Sequence, residues 1–79
     1  IIIMDLNTFV EKFCEQLENT DISTVNASTD YKALAEWDSL VALSVIAMID
    51  EEFEVVITGS DIDGNTTIED LYNTVQSRL

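Results

Sequence analysis

Histidine is absent from this chain of 79 residues, and cysteine occurs once, at Cys14. Without histidine, neither a Ser-His-Asp nor a Cys-His catalytic set can be assembled, and no zinc site of cysteine and histidine can form. A single cysteine has no partner for an internal disulfide, which favours a reducing compartment, taken here as the cytoplasm. We therefore predict that the protein is not an enzyme.

Positively charged residues are also scarce. Lys12, Lys32 and Arg78 stand against 16 acidic residues, and the formal net charge is −13 at pH 7. Nucleic-acid phosphates and anionic membranes are bound through lysine and arginine, so neither is an expected partner. No apolar run approaches the length of a membrane span. The expected partners are proteins with basic patches, attracted over a long range in a salt-sensitive way.

The chain opens with three isoleucines ahead of Met4. This opening has neither the basic residues nor the cleavage site of a signal peptide. We interpret Met4 as the natural start and residues 1–3 as a remnant added for expression. Residues 4–79 would then form one domain, expected to be monomeric, whose core must be compact at this size.

Apolar residues recur at helical spacing in three segments, which predicts three main helices. The first segment runs from Asp5 to Glu18, and either Asp5 or a Thr8–Glu11 capping box could begin it. The apolar positions of this segment are Leu6, Phe9, Val10, Phe13, Cys14 and Leu17. We interpret Cys14 as a small buried hydrophobic residue rather than as a reactive thiol.

The second predicted helix extends from Ser39 to Phe53 and is apolar on more than one face. Its expected core-facing residues are Leu43, Ile46, Ala47, Ile49 and Phe53. Acidic residues 50–52 and Glu54 lie at its C-terminal end, where the helix dipole disfavours negative charge. They form either a solvated helix end or a functional surface.

The last predicted helix begins with a capping box of Thr66 and Glu69. Its apolar repeat consists of Ile68, Leu71, Tyr72, Val75 and Leu79. Before it, Val55–Ile57 is predicted to be a buried linker, and Ser60–Ile62 a single helical turn. A possible calcium loop, Gly59–Asp70, lacks the carboxylate at its first position and the glutamate at its twelfth, so no metal site is predicted.

A long connection without proline or glycine, Asn19–Trp37, joins the first two helices. A connection of this length in a small domain is usually functional or fixed by its own side chains. A helical turn near Tyr31 is predicted within it, and the expected anchors are Ile22, Val25, Tyr31, Leu34 and Trp37. The predicted fold is all-α: a small four-helix bundle of three main helices and one short helix, with a long loop between the first two.

The tripeptide Asp38-Ser39-Leu40 lies where this loop meets the second helix. Ser39 is at or beside the N-cap, a position that serine often occupies with no further role. A phosphate attached to Ser39 would nevertheless lie at the positive end of the helix, close to free backbone N–H groups.

The stretch Leu34–Leu40, followed by Leu43 and by Ile49–Phe53, closely resembles the acyl carrier proteins. The resemblance extends over nearly all of residues 4–79. It implies that a separate phosphopantetheinyl transferase esterifies Ser39 with 4′-phosphopantetheine from coenzyme A. The thiol of that arm would hold acyl groups as thioesters and present them to acyl ligases, acyltransferases or synthases with basic patches.

The resemblance also assigns two residue sets. The set for partner recognition is Asp38, Leu40, Val41, Ser44, Asp50 and Glu51. The set that could part to shelter an acyl chain is Ile46, Ile49, Phe53, Ile57, Ile62, Ile68, Leu71 and Val75. The residues of the second set can also be ordinary core residues, because packing in the core and sheltering an acyl chain are compatible roles.

The chain departs from the carriers of fatty-acid synthesis at a few positions. Val41 and Ser44 stand where those carriers usually have acidic residues, and Trp37 stands where a small residue is common. Trp37 is interpreted as a packing anchor, with contact to the arm or to a partner as the alternative. These departures favour a dedicated carrier in a specialised biosynthetic pathway. The alternatives are an aminoacyl or peptidyl carrier, and an acidic interaction module with no prosthetic group.

Overall fold

The computed structural model describes residues 5–79, so the interpretation of residues 1–4 lies outside the described part. The described chain forms four α-helices: α1 (Leu6–Cys14), α2 (Ser39–Phe53), α3 (Gly59–Gly64) and α4 (Ile68–Gln76). Two short 3-10 helices, Ile22–Thr24 and Tyr31–Ala33, interrupt the long connection between α1 and α2. Three longer helices and one short helix confirm the predicted all-α bundle.

Helix α1 begins at the first of the two predicted caps. The Asp5 carboxylate accepts a hydrogen bond of 2.7 Å from the Thr8 backbone N–H. The helix ends at Cys14, before the predicted end at Glu18, but turn-type hydrogen bonds continue to Leu17, which is buried. Phe9 and Phe13 are fully buried, so α1 contributes two aromatic rings to the core.

Helix α2 has the predicted bounds, but the prediction of its core-facing residues was partly wrong. Ile49 and Phe53 are buried as expected, together with Val45 and Met48. By contrast, Leu43 is 60% exposed and Ala47 is exposed. Because α2 is apolar nearly all round, its periodicity does not single out one face, and packing against the rest of the bundle decides which face is buried.

The start of α4 also differs from the prediction by one residue. Thr67 and Asp70 form the capping box, and the Thr67 hydroxyl accepts a hydrogen bond of 3.1 Å from the Asp70 N–H. The sequence offers this box and the predicted Thr66–Glu69 box at the same spacing. Leu79, the last member of the predicted apolar repeat, lies beyond the end of α4 and is exposed, so the repeat was predicted one member too far.

Helix α3 is fixed by polar contacts at both of its ends. A capping box of Thr58 and Asp61 begins it, and Asp61 also forms a bidentate ion pair with Arg78, with N–O distances of 2.7 and 2.8 Å. The Lys32 ammonium donates to the Asp63 carbonyl at 2.6 Å. The segment suggested as a calcium loop is therefore helical in its first half, and within residues 5–79 no cluster of metal-ligating side chains is present.

The long connection is held by buried side chains and by hydrogen bonds to the other end of the chain. The fully buried Tyr31 donates its hydroxyl to the carbonyls of Ile62 and Asn65. Burial, with help from the negative charge of Asp30, raises the pKa of this phenol. Backbone bonds from Ile68 and Glu69 to loop carbonyls add to the attachment.

The anchors predicted for this connection are confirmed except for one. Val25 and Tyr31 are buried, and Leu34 and Trp37 pack half-buried against the core. Ile22 is 56% exposed, so its predicted role as an anchor was wrong. It lies in a 3-10 turn whose conformation is set by hydrogen bonds to the Asp21 carboxylate, so apolar burial is not needed there.

The core is one cluster to which every α-helix contributes. The Phe13 ring lies parallel to the Trp37 ring at 6.1 Å between centroids and tilted against Tyr31 at 5.7 Å. This stack makes Trp37 a packing residue of the loop, as interpreted from the sequence.

In the linker after α2, Val55 and Ile57 are buried whereas Val56 is exposed, so only two of its three residues are buried as predicted. No helix of the described chain has the length and hydropathy to cross a bilayer.

Candidate functional site

Ser39 is the first residue of α2, and its side chain is exposed. The preceding Asp38 has extended backbone geometry, and its carboxylate accepts a hydrogen bond of 2.9 Å from the Val41 N–H. The capping function that the sequence left open between these residues therefore belongs to Asp38. The Ser39 hydroxyl is thus not the cap, and a substituent on it need not break the hydrogen bond that begins α2.

The position of Ser39 suits a phosphoester. The first N–H groups of a helix have no partner within the helix and carry the positive end of its dipole. An anion there gains about 0.3–1 kcal/mol at an exposed site. The residues present at the start of α2 therefore fit 4′-phosphopantetheine through an accessible hydroxyl in a favourable field.

A groove of about 260 Å³ starts beside Ser39 and lies between the start of α2 and the turn and loop that follow α1. Its residues are Gln16, Glu18, Asn19, Glu36, Asp38, Leu40, Val41 and Ser44. Both neighbours of Ser39 in sequence line it. The groove combines apolar side chains with amide and hydroxyl groups, so a ligand with both kinds of group could occupy it.

One wall of this groove is held by Glu36, whose role the sequence analysis missed. The Glu36 carboxylate accepts hydrogen bonds of 3.0 Å from the N–H groups of Glu18 and Asn19, and a third from the Thr20 hydroxyl. The Thr20 hydroxyl, followed by these N–H groups, holds the pKa of Glu36 below its usual range. The donors lie 16 to 18 residues away, and no local pattern in the sequence signals such a contact.

The residues predicted for partner recognition lie along α2 on its outer side. Asp38, Ser44, Asp50 and Glu51 are exposed, Leu40 is 73% exposed, and Val41 is half-buried. Leu43 and Ala47, which were expected in the core, are exposed between them. At helical spacing these positions form one surface that is apolar near Ser39 and acidic at the far end. We call this the outer face of α2.

The residues predicted to shelter an acyl chain are brought together. Seven of the eight are buried in the core cluster, and Ile46 packs half-buried against it. They come from α2, α3, α4 and the linker between α2 and α3. Their packing demonstrates an ordinary core role, and sheltering an acyl chain remains a prediction.

Cys14 is less buried than the sequence analysis predicted. Its side chain is half-buried, and burial raises the pKa of its thiol, which reduces the thiolate fraction near neutral pH. It packs against the core and lines an apolar groove with Val10, Ile22 and Val25.

The pH dependence of stability is expected to show a maximum on the acidic side of neutrality. Acidification from pH 7 reduces the net charge of −13 and with it the self-repulsion of the fold, so the melting temperature should first rise. Arg78 foremost, with the Thr58 N–H, lowers the pKa of Asp61, and the pKa of Glu36 is lowered as well. Groups of this kind stabilise the fold above the ordinary carboxyl pKa of about 4 and lose that contribution as pH falls through their lowered values.

The measurement is the melting temperature between pH 7 and pH 3 at constant ionic strength. We expect a rise towards about pH 5 and a fall below about pH 4. Arg78→Gln removes the ion pair of Asp61 and serves as a control, because the fall at low pH should then be shallower. A steady decrease from neutral pH down to the pI of about 4.1 would contradict the expected rise.

Comparison with protein families agrees with this geometry. A family model described as phosphopantetheine attachment site matches residues 7–75. This range contains Ser39, all of α2 and α3, and all of α1 and α4 except Leu6 and Gln76. The comparisons with curated proteins and with solved structures gave no significant match.

Proposed function

Because the chain belongs to the phosphopantetheine attachment site family, whose domains carry covalently attached 4′-phosphopantetheine, we propose that Ser39 is the attachment residue of an acyl carrier protein. The observation that carries this proposal is the exposed Ser39 hydroxyl at the start of α2, beside a cap supplied by Asp38. The fold, the acidity and the position of Asp38-Ser39-Leu40 agree with such a carrier.

The protein contributes the acceptor and the setting for it. The Ser39 oxygen forms a new bond to the phosphorus next to the pantetheine of coenzyme A, the phosphoanhydride bond of coenzyme A breaks, and adenosine 3′,5′-bisphosphate leaves. The serine proton passes to a base of the transferase. When bound, the prosthetic group supplies the thiol that holds an acyl group as a thioester. The positive end of α2 then stabilises the phosphodiester.

Partner enzymes are proposed to dock on the outer face of α2. Leu40 and Leu43 are large and exposed there, and Asp50 and Glu51 provide negative charge further along the helix. A complementary surface would have an apolar patch next to arginine or lysine. A phosphopantetheinyl transferase and the acyl ligases, acyltransferases or synthases that use the carrier are the proposed partners. The carrier itself is proposed to be a cytoplasmic monomer and not an enzyme.

The cargo is proposed to belong to a specialised biosynthetic pathway. The side chains of Val41 and Ser44 bring no charge to the outer face, unlike those of the fatty-acid carriers that this chain resembles. Efficient loading and elongation by fatty-acid synthase enzymes would contradict this proposal. An aminoacyl or peptidyl carrier uses the same attachment residue and is distinguished by the species found on the arm.

The test of attachment is intact mass before and after incubation with coenzyme A and a broad-specificity phosphopantetheinyl transferase. We expect the mass of one phosphopantetheine to be added, and fragmentation to place it on Ser39. An unchanged mass, or a modified residue other than Ser39, would overturn the proposed function.

A further inference from the structure

We propose that the groove between α1 and α2 is a binding site for the pantetheine part of the prosthetic group attached to Ser39. This inference rests on the proposed function, because it requires an arm at that serine. It adds a noncovalent site, on the α1 side of α2, where the arm lies when no partner enzyme is bound.

The groove continues beyond the section that begins at Ser39. A second section of about 330 Å³ is lined by Glu15, Gln16, Ser44, Ala47, Met48, Glu51 and Glu52. Gln16 and Ser44 line both sections, so the second lies next to the first, further along α2. From Ser39 to Glu51 the helix advances about 18 Å, at a rise of about 1.5 Å per residue. The groove is thus an elongated site that an extended chain molecule attached at one end could follow.

The lining matches the chemistry of pantetheine. That group is uncharged and has two amides, a hydroxyl and a pair of geminal methyl groups. Leu40 and Val41 offer apolar surface close to Ser39, and Gln16, Asn19 and Ser44 offer amide and hydroxyl groups beyond it. Attachment at Ser39 keeps the arm at a high effective concentration beside these groups, so weak contacts are sufficient to hold it.

The wall of the groove that follows α1 has contacts to the rest of the protein at both of its ends. Glu36 binds the N–H groups of Glu18 and Asn19 at the Ser39 end. At the far end the Lys12 ammonium lies 3.9 Å from the Glu15 carboxylate and 3.8 Å from that of Glu52, and so links α1 to α2. A preformed groove costs little ordering free energy when the arm binds.

The main competing occupant is a basic side chain of a partner, because Glu18, Glu36 and Asp38 line the first section. Two of these carboxylates are already engaged. Glu36 accepts three hydrogen bonds from the loop after α1, and Asp38 caps α2. Apart from Glu18, the groups still available in the first section are amide, hydroxyl and apolar, which favours the uncharged arm over a cation there, whereas Glu15, Glu51 and Glu52 make the second section acidic.

The test compares the apo protein with the loaded protein by NMR, after intact mass has shown one arm on Ser39. We expect backbone amide shifts at Asn19 and Ser44 on loading, and nuclear Overhauser contacts from the geminal methyls of the arm to Val41. Ser44→Glu places a carboxylate in the groove and is expected to remove the Asn19 shift and the Val41 contacts while the arm stays attached. Asn73→Glu adds the same charge at an exposed position of α4 and should leave both signals in place.

The outcomes separate the two proposals. Changes confined to residues 38–40, or arm contacts to Ile57 and Ile62 instead of Val41, would overturn the groove site and leave Ser39 as the attachment residue. Retention of the Asn19 shift in loaded Ser44→Glu would also overturn it. A mass that does not change on incubation with the transferase would overturn the proposed function, and the groove site with it.

Discussion

Replacing Ser39 with alanine is expected to abolish attachment of phosphopantetheine completely. The phosphoester requires a side-chain oxygen at this position, and the base of the transferase is expected to act only on a hydroxyl presented at the start of α2, where alanine has none. The measurement is intact mass after prolonged incubation with coenzyme A and a transferase, with wild-type protein alongside. The expected result is full modification of the wild type and an unchanged mass for Ser39→Ala.

The same variant should keep the fold. Asp38 makes the capping hydrogen bond of α2, and Ser39 is exposed, so its removal is expected to change the free energy of unfolding by no more than about 0.5 kcal/mol. This separates loss of the acceptor from loss of structure. A cooperative melting transition close to that of the wild type would confirm that the effect is chemical.

Ser60→Ala is the matched control, because Ser60 is an exposed serine in the first turn of another helix, α3, and is not part of the outer face of α2. It should be loaded to completion. Loading of Ser39→Ala at another residue would contradict the assignment of the site. If partner enzymes bound Ser39→Ala as tightly as the loaded wild type, the alternative of an acidic interaction module without a prosthetic group would gain support.

The bounds of a helix could be predicted where a strong capping residue coincided with a clear change in the spacing of apolar residues. Helix α2 begins at Ser39 as predicted, with Asp38 as the cap, and Phe53 ends it where the next residue, Glu54, adopts a left-handed backbone with φ of 57°. The start of α4 was missed by one residue, because Thr66 and Thr67 each have an acidic residue three positions later. The helix begins after Thr67, and its first residue, Ile68, is fully buried. The choice between the two caps is therefore consistent with the burial of Ile68 rather than with local capping strength.

The buried face of α2 could not be predicted from periodicity. Val45 and Met48 are buried while Leu43 is exposed, although all three are apolar. The exposed residues are those on the outer face of α2, where the proposed function places partner enzymes. A helix that is apolar all round gives no periodic signal for which side faces a partner.

The groove was beyond sequence-based prediction for a different reason. Asp38, Leu40, Val41 and Ser44 could be singled out because they neighbour Ser39. The wall across from them depends on Glu36 reaching back to the loop after α1, a contact between positions far apart in sequence. Tyr31 makes the same kind of contact with the carbonyl of Ile62. Such contacts are set by the tertiary fold and leave no periodic trace in the sequence.

Phe13, Tyr31 and Trp37 form an aromatic cluster in the core. Replacing Phe13 with alanine is expected to give the largest loss of stability among single substitutions of these three residues. Phe13 is fully buried, and its ring packs against both Tyr31 and Trp37. Truncation of a buried phenylalanine to alanine costs about 3–5 kcal/mol. A domain of this size has a total stability of only about 4–12 kcal/mol at typical values per residue, so the variant is expected to be largely unfolded or close to it.

The measurement is urea denaturation followed by the fluorescence of Trp37, the single tryptophan, which reports directly on this cluster. Because Phe13→Ala could be unfolded without denaturant, Phe13→Leu provides a folded variant with a smaller but measurable loss. Leu43→Ala also truncates a large apolar side chain, but at an exposed site, and should change stability by less than about 0.5 kcal/mol. A Phe13→Ala protein nearly as stable as Leu43→Ala would show that the ring stack does not anchor the loop. The positions of Ser39 and of the groove wall both depend on that anchoring, because the loop leads directly into α2.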